Sequence, residues 1–169
     1  LVSNSSFFLP YLSGERTPHN DPHIRGSFHA IKTTTDATNM QYAVIEGVSF
    51  GILDGVNSIL KVNDNFEKIF MVGGGSRSSF WIELLASLLN RNLSVCDQSE
   101  YGAALGVARL AMHSDKSIQN NNIIKEITTS KDYFPSSNKS DILMKRYQIW
   151  KDLYSTNKKI ASNLISKSS

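Results

Sequence analysis

The chain has 169 residues, of which 40% are hydrophobic and 20% charged, with a net charge of +3 and a single cysteine. That is ordinary composition for about one globular domain, which excludes a disordered or fibrous chain, and the lone Cys96 excludes a disulfide scaffold and a multi-cysteine zinc site. From Lys139 onward seven basic residues meet two acidic ones, leaving the rest net negative, which reads as a solvated terminal helix; with apolar runs short of the about 18 residues of a membrane span, neither nucleic acid nor membrane is an expected partner.

The chain opens on Leu1 with no charged leader. Either its start was removed or it is part of a longer protein. Residues 1–25 read as loop, because Pro10 breaks the apolar run Phe7 to Leu12, and Ser13-Gly14-Glu15-Arg16-Thr17-Pro18 is turn chemistry. By its residues alone that stretch is a capped surface loop. A short strand is predicted from Gly26 to Lys32. Asp36 can cap the next helix, predicted from Met40 to Leu60 on apolar and small positions at helical spacing. Gly47, Gly51 and Gly55 lie four apart there. Each costs about 1 kcal/mol against alanine in a helix, so another backbone is expected to approach closely along that stripe.

Lys68 to Val72 reads as a buried strand running into Gly73-Gly74-Gly75-Ser76-Arg77-Ser78. A helix is predicted from Ser79 to Asn90, with Phe80, Trp81, Leu84, Leu85, Leu88 and Leu89 facing inward. Asn92 to Asp97 is a further strand, and Ser99 opens a helix through His113. A polar linker follows, extending to residue 135. The final helix, over 136–169, turns Leu143, Tyr147, Trp150, Leu153, Tyr154 and Ile160 to one face. Alternating strands and helices imply an α/β domain whose sheet has parallel pairs, with its core over 26–113.

The triple glycine is the best site signal. A strand ending in glycines before a helix presents backbone N–H groups unobstructed, and a nucleotide's sugar and phosphates can lie against them. Gly73-x-Gly75-x-x-Ser78 comes close to a dinucleotide fingerprint, with Asp97 where a ribose-binding acid would stand, but its third glycine is replaced by Ser78. No lysine follows, so this is no P-loop. His19 and His23 sit in a proline-containing loop and do not form a metal pair. Cys96, inside a strand, reads as a small buried hydrophobe.

Phe8-Leu9-Pro10-Tyr11-Leu12-Ser13-Gly14-Glu15-Arg16-Thr17-Pro18 resembles a segment of the xylulose kinases among the FGGY carbohydrate kinases. Gly26-x-Phe28-x-Ala30-Ile31 followed by Asn39 to Val48 is similar to the family's second signature, with Ala30 where the pattern usually has glycine. Met71 to Ser78 with Trp81 resembles its adenosine motif. Gly102-Ala103-Ala104-Leu105-Gly106 resembles its following helix, where proline is usual at the second position.

The resemblance implies the later part of the second of two ribonuclease-H-like domains of actin and hexokinase type, with a mixed sheet, packed helices and a C-terminal helix. It implies ATP, with Mg²⁺ in the intact enzyme, a pentulose such as D-xylulose as substrate, and a cytoplasmic protein. The nucleotide contacts it implies are Gly74 and Gly75, with Gly73, Ser76 and Ser78 nearby. Its catalytic aspartate belongs to the N-terminal kinase domain, the partner this chain would need, so no catalytic residue and no metal ligand is expected here. A homodimer is a further partner to test. The alternatives are a self-standing nucleotide or dinucleotide module and a non-catalytic assembly piece.

Overall fold

The computed structural model describes residues 5–62, 68–97, 99–115 and 127–166. Strand β1 (Phe7–Leu9) pairs antiparallel with β2 (Ser27–His29), Phe7 opposite His29 and Leu9 opposite Ser27. The expectation of loop throughout 1–25 is corrected by β1. All three of its residues are buried, so it shows none of the alternation that marks a half-exposed strand. The strand expected over 26–32 shortens to β2 because Ala30, directly after it, turns the chain with φ +56°.

That left-handed conformation is one that glycine adopts more readily than alanine. It costs an L-residue about 1–2 kcal/mol, part of which glycine would return as extra freedom of the unfolded chain. Ala30→Gly should therefore raise the melting temperature by about 2 °C in a chain of this size, read by circular dichroism. No rise would mean the turn is unstrained.

Helix α1 (Ala37–Leu60) starts where Asp36 accepts the Asn39 N–H at 2.7 Å. Its buried face carries Tyr42, Glu46, Ser49, Phe50 and Leu53, whereas Ile52 and Ile59, on the expected apolar stripe, are exposed. The stripe is rotated because polar residues on the inner face find partners. Arg146 donates to both carboxylate oxygens of Glu46 at 2.6 Å, and Tyr147 donates to Asp54. By length and composition α1 could cross a membrane. Here it packs against β1 and two further helices, α2 (Ser79–Leu89) and α4 (Ser137–Ser166), as a core helix does.

The expected glycine stripe reduces to one position. A Cβ on Gly47 would run into the Phe8 carbonyl of β1; one on Gly51 would make only ordinary contact with Pro10, and one on Gly55 would meet nothing. Close backbone approach is thus local packing within the domain.

Strand β3 (Ile69–Met71) runs parallel to β4 (Leu93–Cys96), which pairs antiparallel with β5 (Thr129–Tyr133). β5 corrects the linker expected over 114–135; residues 116–126 of that stretch lie outside the described ones. Its first four residues are exposed and only Tyr133 is buried, so as a polar edge strand it carries no apolar pattern. α2 divides two cores. Ile82, Leu85 and Ala86 face the mixed sheet, while Leu84 and Leu88 pack with Leu9, Phe50 and Trp150 of α4. Phe80, expected inside, is exposed.

On α4, Leu143, Tyr147 and Trp150 are buried as the periodicity predicts, and the Trp150 indole donates to Phe8 O at 2.8 Å. Ile160 is exposed instead. Asn157 takes an inward place, donating to Arg25 O at 3.0 Å and Ser27 Oγ at 2.6 Å. The Gly-Glu-Arg-Thr-Pro loop is capped from within, since the Glu15 carboxylate accepts the N–H groups of Thr17 and His19. It is also fastened to α4, where the Tyr154 hydroxyl donates to Asp21 at 3.0 Å and the ring stacks on His19 at 3.6 Å. Burial works to raise the Asp21 carboxyl. The His23 N–H, the Tyr154 hydroxyl and the Ile24 N–H outweigh it and hold the group below its usual range.

Candidate nucleotide site

β3 delivers the chain to Gly73 at the carboxyl end of the parallel pair. Gly73 has φ +86°, a conformation that favours glycine. Its N–H donates to Ser99 O at 2.7 Å, which ties the turn to the segment after β4. Gly74–Arg77 then form a single 3₁₀ turn, and Ser78 caps α2 by accepting the Trp81 N–H at 3.3 Å.

The five residues predicted to face a nucleotide divide by task. Ser76 is buried; its hydroxyl donates to Gly73 O at 2.7 Å and lies 2.6 Å from the Ser99 hydroxyl. Ser76 and Ser78 therefore hold the turn itself. Gly75 lies under the Trp81 ring, with Trp81 Cζ3 only 2.5 Å from where a Cβ would stand. Gly73 and Gly74 have open space there. Of the five, those two leave room for a ligand against the backbone.

Beside the turn is a cavity of about 430 Å³ lined by Val72, Cys96, Asp97, Ser99, Gly102 and Arg109, among others. It lies past the carboxyl ends of β3 and β4, where open α/β sheets bind their ligands, and its size suits a small metabolite. Ser99 belongs to both features, bonding the turn and lining the cavity. Burial, and then the Asp97 carboxylate, push the thiol of the half-buried Cys96 up, which works against its thiolate form. Among the described residues no three His, Cys, Asp or Glu side chains cluster as a metal's ligands would.

The far wall of the cavity is α3 (Gly102–Ser114), which has no buried residue along its length. Val107 and Leu110 are each 67% exposed, although the helix is rich in alanine and apolar side chains. Neither Ser99, which closes the turn, nor Ser49, which holds Trp81, stands out in the sequence. A serine bonded across 23 or 32 residues leaves no periodic trace.

Residues 2–114 match the C-terminal domain of the FGGY family of carbohydrate kinases. A xylulose kinase of Escherichia coli is 30% identical over 151 residues, covering 88% of this chain and 31% of the relative. A solved xylulose kinase of Brucella ovis superposes with a TM-score of 0.81 at 33% identity, over 95% of this chain and 33% of that one. A gluconate kinase of Lactobacillus acidophilus superposes with a TM-score of 0.71 at 28% identity, over 89% of this chain and 31% of that one. The chain thus spans about a third of the length of the relatives it matches. The α/β fold with its mixed sheet is that of these sugar kinases, the actin and hexokinase type.

Proposed function

Because the chain belongs to the FGGY family of carbohydrate kinases, we propose that it forms the nucleotide-side wall of an ATP-dependent kinase acting on a pentulose. The observation that carries this reading is the open backbone at Gly73 and Gly74, set at the carboxyl end of β3 beside a cavity. Those two residues would hold the sugar and α-phosphate of ATP, which supplies the phosphoryl group when bound. The turn is stiffened in advance by Ser76 and Ser99, so little ordering would accompany binding.

Phosphoryl transfer depends on positioning between two walls. The opposite wall would be the N-terminal kinase domain. D-Xylulose is the favoured sugar because xylulose kinases are similar to this chain at 30–33% identity. The gluconate kinase at 28% agrees with a sugar pocket built mainly outside these residues.

The test is a chimera in which this chain replaces the matching C-terminal third of the E. coli xylulose kinase, assayed for ADP release. D-Xylulose-dependent turnover by the chimera, and none by the 169-residue chain alone, is the expected result. Turnover by the chain alone would put a complete active site within these residues and overturn the reading. Tight NAD binding that weakens in Asp97→Ala would favour the dinucleotide module, since Asp97 does line the cavity.

A further inference from the structure

Trp81 stands three residues into α2 and belongs to neither the glycine turn nor the cavity lining, yet it touches both the turn and the core. Its ring lies against Gly75, leaving no room for a Cβ on that side. Its indole N–H donates to Ser49 Oγ at 2.9 Å, and the Ser49 hydroxyl donates onward to Ile45 O at 2.7 Å. Ser49 is fully buried on the inner face of α1. Both polar atoms are satisfied, and the bond ties the indole to α1.

We propose that Trp81 is a positioning residue for nucleotide binding. Anchored by Ser49, it braces Gly75 from one side and fixes how the open backbone of Gly73 and Gly74 is presented to the adenosine and α-phosphate. This rests on the nucleotide reading above and adds a requirement to it. The glycine at position 75 is demanded by the indole, while the open glycines at 73 and 74 are the ones left for the ligand. A rigid helix thereby sets the geometry of a turn, and a preorganised turn loses less on binding.

The experiment uses Ser49→Ala, which removes the acceptor and keeps the indole, and Trp81→Phe, which keeps a ring and removes the N–H. ADP affinity is measured by calorimetry, amide exchange over residues 74–78 by mass spectrometry, and tryptophan emission during ADP titration. Both variants should stay folded by circular dichroism. Each should exchange faster over the turn and bind ADP about threefold to tenfold more weakly, the worth of one hydrogen bond. The double variant should bind no more weakly than the worse single one, because both break the same link. In the unaltered chain ADP should change the emission, and in Trp81→Phe the remaining Trp150, buried on the inner face of α4, should be silent. If the unaltered chain binds ADP and Ser49→Ala binds it equally with unchanged turn exchange, the positioning role is wrong while the nucleotide reading stands. If the unaltered chain binds no ADP, the nucleotide reading itself falls, and this role falls with it.

Discussion

Gly47→Ala should lower the chain's stability by about 3 kcal/mol, the upper end of what overpacking costs, and its melting temperature by about 10 °C. The added methyl has nowhere to go, since its contact is the Phe8 carbonyl carbon and oxygen of β1, and backbone cannot swing aside as a side chain can. β1 is held in place from several directions. The Trp150 indole donates to the same carbonyl, and Arg146 lies over the Phe7 ring at 4.4 Å. The clash must therefore part α1 from β1 or break those contacts. Gly55→Ala is the control. A Cβ there meets nothing within 4 Å, so removing a helix glycine should stabilise by about 1 kcal/mol. Thermal melts of the two variants should move in opposite directions. A Gly47→Ala chain melting no lower than the parent would show that α1 and β1 are not in contact.

The second large effect is at the Glu46–Arg146 pair. Glu46 is 1% exposed and receives two 2.6 Å bonds from one guanidinium. Arg146→Met should cost about 3–5 kcal/mol, because it strands a buried carboxylate. Burial already pushes the Glu46 carboxyl up, and the Arg146 bonds pull it back only in part. Without Arg146 the folded-state value rises further above the unfolded one. An acid raised in this way is tolerated below its unfolded value and penalised as the pH climbs through its folded value. The deficit of Arg146→Met should thus be larger at pH 8 than at pH 5 in urea titrations. The double variant Glu46→Met with Arg146→Met should recover most of the loss, since an apolar pair of similar volume replaces a buried ion pair at little cost. A double variant as unstable as the single would mean that packing, not charge, sets the penalty.

Much of the site was legible because glycine and turn chemistry are local. The Asp36 cap and the turn from the strand into α2 stand as the residues predict, whereas the strand before the turn, expected buried from Lys68 to Val72, shortens to Ile69–Met71 and is only half-buried, with Val72 exposed. The family motifs carried the rest of the fold. What could not be read depended on distant partners. Glu46 and Asp54 look like interruptions of an apolar helix until Arg146 and Tyr147, 100 and 93 residues away, complete them. β1 and β5 escaped for opposite reasons, one buried throughout and one polar and exposed up to its last residue, Tyr133, since neither leaves the alternation that marks a strand. The three glycines of α1 look equivalent in the sequence. Only the position of β1 separates Gly47 from the other two.

The same separation of roles picks out Gly74 as the probe of the account's central claim. Gly75→Val would strike Trp81, and a side chain at Gly73 would be strained by its positive φ, but a Cβ on Gly74 points into open space. Gly74→Val should leave the fold intact and fill the space assigned to the nucleotide. The decisive measurement is a calorimetric titration of the 169-residue chain with ADP, unaltered and as Gly74→Val, alongside a melt of each. Binding by the unaltered chain that falls at least tenfold in the variant, with the melting temperature unchanged, is the predicted result. Equal binding by the two, or none by the unaltered chain, would contradict the assignment of the glycine turn to a nucleotide.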